Sequence, residues 1–166
     1  VDKEHRLAIA RNHTATHLLQ SALKNVLGKH VEQSGSKVDE TSLRFDFTHF
    51  KAPEPEKLQR VEEIVNDIIG QNLPVTRTVM PRGDAEELGA QMEFGVKYPD
   101  MVSVYSVGPK DANEKDPKIH QAFSLEFCGG PHVENTRVIT DGGKKFKILK
   151  EEAVAQGVRR IKAVVQ

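Results

Sequence analysis

Tryptophan is missing from this 166-residue chain, tyrosine occurs twice and cysteine once. A single thiol cannot close a disulfide within the chain, so a small disulfide-stapled fold is excluded. No apolar run approaches the roughly 20 residues of a membrane span, and no signal-peptide pattern opens the sequence. The expected setting is therefore soluble and cytoplasmic, with no membrane partner. Charge of one sign is not in surplus either: 24 basic residues face 24 acidic ones. Phosphate binding favours a basic excess, so the balance argues against a chain that grips nucleic acid unaided. The first residue is Val1 rather than Met, which is read as a domain excised from a longer protein. No internal repeat or low-complexity tract occurs, and the length suits one domain over 1–166.

Two short motifs stand out. His13-Thr-Ala-Thr-His17 places two imidazoles at i,i+4, on one face of a helix. Cys128-Gly-Gly-Pro-His132 joins the one cysteine to a third imidazole across a turn whose glycines allow close approach. Three His and one Cys match the tetrahedral nitrogen and sulfur preference of zinc. Taken singly, each half has a plainer explanation: a buried Cys is usually a small core residue, and a His pair can simply flank an apolar stripe. Their coincidence favours a metal site formed by His13, His17, Cys128 and His132.

Helical periodicity runs over residues 5–27 through Ala15, Leu19, Ala22, Leu23 and Val26, with Gly28 as the stop. Segments 30–39 and 42–50 read as paired strands turning near Asp39-Glu40, and Leu43-Arg-Phe-Asp-Phe-Thr48 alternates cleanly. A second helix is expected from Pro55 to Gln71, a strand over Val75–Met80 and a short helix near Asp84–Leu88. Further strands are expected over Met101–Val107 and Ala122–Phe127, separated by a polar loop at Gly108–Ile119. The last strands, Lys145–Leu149 and Val158–Val165, flank Glu151–Gly157, and Gly142-Gly143-Lys144 reads as a hairpin turn. Helices and strands mix without βαβ alternation. The fold class is thus α+β, a largely antiparallel sheet packed with two main helices and a zinc site in the cleft. The late basic residues Lys144, Lys145, Lys147, Lys150, Arg159, Arg160 and Lys162 read as a solvated strand face.

Four ligands would suit a structural metal, whereas a catalytic one keeps an open position. The polar stretch Gln33-Ser-Gly-Ser36 and the hydroxyls of Thr14 and Thr16 point instead towards a reactive cleft, although Thr hydroxyls in helices often bond their own backbone. Metalloprotease chemistry is excluded because Thr14 stands where a zincin carries its Glu. No phosphate-binding Gly-x-x-x-x-Gly-Lys-Ser/Thr loop occurs. A nucleophilic Cys128 paired with His132 is the remaining competitor. Asp46 and Arg44 read as a surface salt pair, and His49 as structural.

The ordered motifs Arg11-Asn-His-Thr-Ala-Thr-His-Leu-Leu19, Gln33-Ser-Gly-Ser36, Leu43-Arg-Phe-Asp-Phe47, Cys128-Gly-Gly-Pro-His132 and Gly157-Val-Arg-Arg-Ile161 cover nearly the whole chain. Together they resemble the editing domain of alanyl-tRNA synthetase, shared with free-standing alanyl-editing proteins and related to that of threonyl-tRNA synthetase. Pro131 is the form familiar from the threonyl enzymes, while the Arg-Phe-Asp-Phe strand and Gly-Val-Arg-Arg-Ile ending look alanyl. The resemblance implies proofreading in protein biosynthesis: zinc-dependent hydrolysis of Ser-tRNA(Ala), and of Gly-tRNA(Ala), by a domain of the alanine ligase. It implies the tRNA(Ala) acceptor end and the rest of the synthetase as partners. Gln33, Thr14 and Thr16 become candidate catalytic residues, and Gln33, Ser34, Gly35, Ser36, Gly129 and Gly130 candidate substrate contacts. Editing of Ser-tRNA(Thr), a non-catalytic zinc-stabilised RNA-binding module and a small-molecule amidase are the competing readings.

Overall fold

The structure, a computed structural model, describes residues 2–93, 95–141 and 143–166. Helix α1 spans Lys3–Leu27. Asp2 caps it by accepting the Glu4 N–H at 3.0 Å, satisfying one of the amides that a helix start leaves unpaired. It ends at Gly28, whose φ of 125° is closed to most side chains and where a Cβ would meet the His30 ring at 2.9 Å. Of the expected stripe Ala15, Leu19, Ala22 and Leu23 are fully covered and Val26 is half-buried, while Leu18, outside that stripe, is fully covered too. Each of the three leucines contributes about 1.5–3 kcal/mol through that burial.

Strands β1 (Gln33–Val38) and β2 (Leu43–Thr48) form the expected hairpin, shorter at both ends than the alternation suggested. The turn is held by Asp39, which accepts from the amides of Thr41 and Ser42 at 2.8 and 2.9 Å. Helix α2 (Pro55–Gly70) begins with proline, whose missing N–H costs nothing in the first turn. Then come β3 (Val75–Pro81), α3 (Arg82–Glu87), β4 (Met101–Val107), β5 (Ser124–Phe127), β6 (Phe146–Ala155) and β7 (Val158–Val165).

The architecture is α+β, but the described residues form two antiparallel sheets rather than one. The first has the order β1-β2-β7-β6 and the second β3-β4-β5. Leu43, Phe45, Phe47, Phe146, Ile161 and Ala163 line the inner face of the first sheet, where α1 and α2 pack in one continuous core. Met80, Ala85, Ala90, Val102, Val104 and Phe127 form a smaller core behind the second sheet.

β5 starts two residues later than expected, at Ser124, and the largest departure in a strand boundary is at the end of β6. Residues 151–155 continue β6 instead of leaving the sheet, so β6 and β7 form a long hairpin with two bulges. Charge hid it: Lys150, Glu151 and Glu152 have weak strand preference, but Glu151 and Glu152 are neutralised by basic residues on β7. The expected hairpin turn at 142–144 includes Gly142, which lies outside the described residues.

Candidate metal centre and the cleft around it

Helix α1 supplies His13 and His17 one turn apart, and β5 runs directly into Cys128 and the turn that carries His132. Burial of the hydrophobic stripe fixes how α1 rotates, and that rotation aims both imidazoles at the end of β5. The ligand atoms of His13, His17, Cys128 and His132 all lie within 4.8 Å of one another. Cys128 Sγ sits 3.3 Å from His13 Nε2 and 3.2 Å from His132 Nε2. Three imidazoles and a thiol focused on one point are the donor set zinc prefers, so these residues fit such an ion.

The two glycines of the turn differ in their surroundings. A Cβ on Gly130 would fall 2.3 Å from His13 Cε1, whereas one on Gly129 meets nothing within 4 Å. The Gly130 N–H also points at Cys128 Sγ, 3.4 Å away. Close approach of backbone to imidazole therefore requires glycine at 130.

A surrounding layer holds the donors in place. His13 Nδ1 lies 3.1 Å from the Pro131 carbonyl, which fixes that nitrogen as the protonated one. Thr14 is fully buried; its hydroxyl accepts the Val133 N–H at 3.2 Å and lies 2.9 Å from His132 Nδ1. It thus orients His132. Thr16 donates to the Asn12 carbonyl at 2.8 Å, a bond within its own helix. His17 Nε2 meets Glu126 at 3.1 Å, both side chains being buried, and Tyr105 packs on the His132 ring at 4.1 Å between centroids. Carboxylates and carbonyls behind imidazole ligands set ring orientation and raise basicity.

Burial and mutual proximity disfavour charge on these side chains. Burial, aided by the neighbouring imidazoles, lowers the His17 pKa well below its ordinary value. Burial and His13 hold His132 at about 3. Burial pushes the Cys128 thiol up to about 11 and Glu126 to about 8. One Glu126 oxygen, Oε1, is buried without a hydrogen-bond partner. A cation among these groups reverses the local preference, since it stabilises a thiolate and a nearby carboxylate.

Sequence alone missed Glu126 and Tyr105. The signal was present in the period-two alternation: Glu126 lies two residues before Cys128, and Tyr105 pairs with it across the sheet. A cavity of about 280 Å³ opens beside the cluster, lined by Met101, Ser103, Cys128 and Gly129 among others. The larger cleft, about 580 Å³, lies between α2 and the start of β6 and contains none of the four donors.

At β1 a bulge between Gln33 and Gly35 shifts the register. Gln33 pairs with Phe47 and Ser36 with Phe45, so both point to the inner face, and Gln33 donates to Ser36 at 3.0 Å. Ser34 is exposed. Gly35 pairs with Asp46 on the outer face, where a Cβ would sit 3.4 Å from its carboxylate. Gln33 and Ser36 bond each other rather than any of the four donors. Asp46 is not in the surface pair expected: it is buried and held by Arg160 at 2.8 and 3.0 Å, with Arg44 more distant at 3.7 Å. His49 is buried and hydrogen-bonded to His30 at 2.7 Å.

Residues 102–162 match the family model described as the threonyl and alanyl tRNA synthetase second additional domain. Over 164 residues the chain is 49% identical to alanine–tRNA ligase 1 of Lachnoclostridium phytofermentans. It is 48% identical to the alanine–tRNA ligases of Geobacillus kaustophilus and Paracoccus denitrificans. These matches cover 99% of this chain but 17–18% of each relative, so the chain spans under a fifth of their length.

Proposed function

We propose, from the premise that this chain belongs to the threonyl and alanyl tRNA synthetase second-additional-domain family and to its alanyl branch, that it hydrolyses the ester of mischarged tRNA(Ala). The substrate is Ser-tRNA(Ala), with Gly-tRNA(Ala) as a second target. The observation that carries this reading is the convergence of His13, His17, Cys128 and His132 beside an open cavity of small volume. These four residues would hold zinc, which when bound supplies a fixed positive charge for orienting and polarising the aminoacyl end.

The remaining steps belong to the chain. Thr14 holds His132 through its hydroxyl, and Glu126 holds His17. The half-buried Gln33, backed by Ser36, offers an amide that tests the serine hydroxyl and polarises the ester carbonyl. Thr16 keeps a lone pair free while its proton serves the Asn12 carbonyl. Ser34 and Gly35 form the bulged edge over which the substrate passes, Gly129 leaves room along the cavity wall, and Gly130 lets the turn close on His13.

The specificity has a physical rationale. A synthetic pocket separates small side chains by only about 1–3 kcal/mol, so errors need a second sieve. A site that hydrogen-bonds the serine hydroxyl rejects alanine much more strongly, because alanine leaves buried polar groups unpaired.

The test is release of serine from Ser-tRNA(Ala), beside Ala-tRNA(Ala) and Ser-tRNA(Thr), before and after zinc chelation. Metal-dependent loss of serine from the first substrate alone is expected. Clearance of Ser-tRNA(Thr) instead would assign the threonyl branch, and no release by folded, zinc-loaded protein would sink the hydrolytic reading.

A further inference from the structure

The outer face of the four-stranded sheet carries an arrangement that folding alone does not favour. Directly paired residues on neighbouring strands point the same way. Lys37 pairs with Arg44, Arg44 with Lys162, and Lys162 with Lys150. Four cations therefore form one row across β1, β2, β7 and β6. At about 4.8 Å between strands the row spans roughly 14 Å.

Like charges set directly opposite are destabilising, and sheets ordinarily avoid them. The next row, Gly35–Asp46–Arg160–Glu152, compensates in part. Asp46 is held by Arg160 and approached by Arg44 at 3.7 Å, and Glu152 serves Lys150 at 3.0 Å and Lys162 at 4.0 Å. Lys147, opposite Val164, extends the same face. Lys37 and Lys147 are exposed and have no acidic partner within salt-bridge distance among the described residues. The paired positions of this face thus hold six basic side chains against two acidic ones, in a chain whose total charge is zero.

The geometry points to this face as the docking surface for the phosphate backbone of the RNA whose end enters the cleft. The inference rests on the proposed function for the identity of that RNA. Two observations choose the occupant. The row is complementary in charge to a polyanion, whose contacts would repay the repulsion between paired cations. The row runs from one edge strand, β6, to the other, β1, and the opposite side of β1 carries Gln33 and Ser36. A strand of RNA following the cations reaches this edge and turns over it towards the inner side. The zero net charge is therefore an average over a sorted surface.

The experiment compares wild-type protein with a triple variant, Lys37→Gln, Lys147→Gln and Lys162→Gln. A control triple variant changes Lys29, Lys51 and Lys115, exposed lysines outside this face, to Gln. Affinity for tRNA(Ala) is measured from 50 to 200 mM salt. Losing three phosphate contacts should make the slope of log K against log salt shallower by about 2, and weaken binding roughly tenfold or more at low salt. The control triple variant should bind as wild type. Without RNA, the face variant should melt at the wild-type temperature or above, since repulsion has been removed. Identical slopes for wild type and face variant, or no RNA binding by wild type, would overturn the inference. Hydrolysis of a 3′-seryl ester of adenosine, which has no backbone to dock, separates the two readings. If both proteins cleave it while RNA binding is unchanged, docking on this face is refuted and the hydrolytic reading stands. If neither cleaves it but binding falls as expected, the surface stands and the hydrolytic reading fails.

Discussion

Replacing Gly130 by alanine adds one methyl group at the tightest point of the candidate metal centre. That methyl would lie 2.3 Å from His13 Cε1 and 2.7 Å from Nδ1, where ordinary contact begins near 3.4 Å. The imidazole would have to retreat by about an ångström, and it is tied to the Pro131 carbonyl on one side and to Cys128 on the other. Zinc–nitrogen bonds are about 2.0–2.1 Å with little tolerance, so a displacement of that size removes His13 from the ligand set. Perturbing a partner behind a ligand already costs about 10–100-fold in metal affinity, so a loss of at least about 100-fold is expected here. Overpacking of this kind costs about 1–3 kcal/mol of stability, less than the 5–15 kcal/mol typical of a domain. The variant should therefore remain folded. The assay is zinc competition against a chromophoric chelator, with native mass spectrometry for stoichiometry and circular dichroism for folding. Gly129→Ala is the matched control, because its methyl enters open space, and it should bind zinc as wild type does. Wild-type zinc affinity in folded Gly130→Ala would refute the reasoning.

Four further outcomes are expected. Cys128→Ala should weaken zinc binding in the same competition assay without abolishing it, because three imidazoles remain to hold the ion. Thr14→Val keeps the side-chain shape but strips partners from His132 and the Val133 amide; it should lower unfolding free energy by about 1–3 kcal/mol in urea titrations. Phe45→Ala empties a fully buried core position and should cost about 3–5 kcal/mol by the same measurement. The His49 pKa is lowered, chiefly by burial and then by His30, Lys57 and Lys51, with Glu54 opposing. The unfolded chain therefore binds the proton more readily, and stability contributed by neutral His49 is present above pH 6.5 and lost as pH falls below it. His49→Gln should show a smaller drop in urea midpoint between pH 7.5 and 5.5, and an equal drop would rule His49 out as a source.

The local elements were legible because their signals are local. Asp2, Gly28, Pro55 and the turn at Asp39 mark boundaries by their own chemistry, and the stripe of α1 follows from a 3.6-residue period. The strand end at Glu151–Ala155 was not, since charged residues resemble a loop until β7 supplies their partners. Among the candidate site residues, the four metal donors could be grouped from spacing and from the scarcity of cysteine. Their convergence across more than a hundred residues is a property of the packed chain. Thr14 and Thr16 look alike in sequence, yet one turns to His132 and the other to its own backbone. Two residues further along a helix is 200° around its axis, and only the docked partner gives that rotation a meaning.

What the sequence determined by itself, then, was the inventory: an α+β set of elements, a zinc-type donor set, a polar Gln-Ser-Gly-Ser edge and a balanced charge. Each depends on residue identity at short range. Tertiary structure decided the rest. It split the strands into two sheets, placed Glu126 and Tyr105 behind the imidazoles and gave Asp46 to Arg160. It also sorted a neutral composition into a row of cations on one sheet face. Those outcomes depend on register and strand order, in which a pairing shift of one residue turns every side chain to the opposite face.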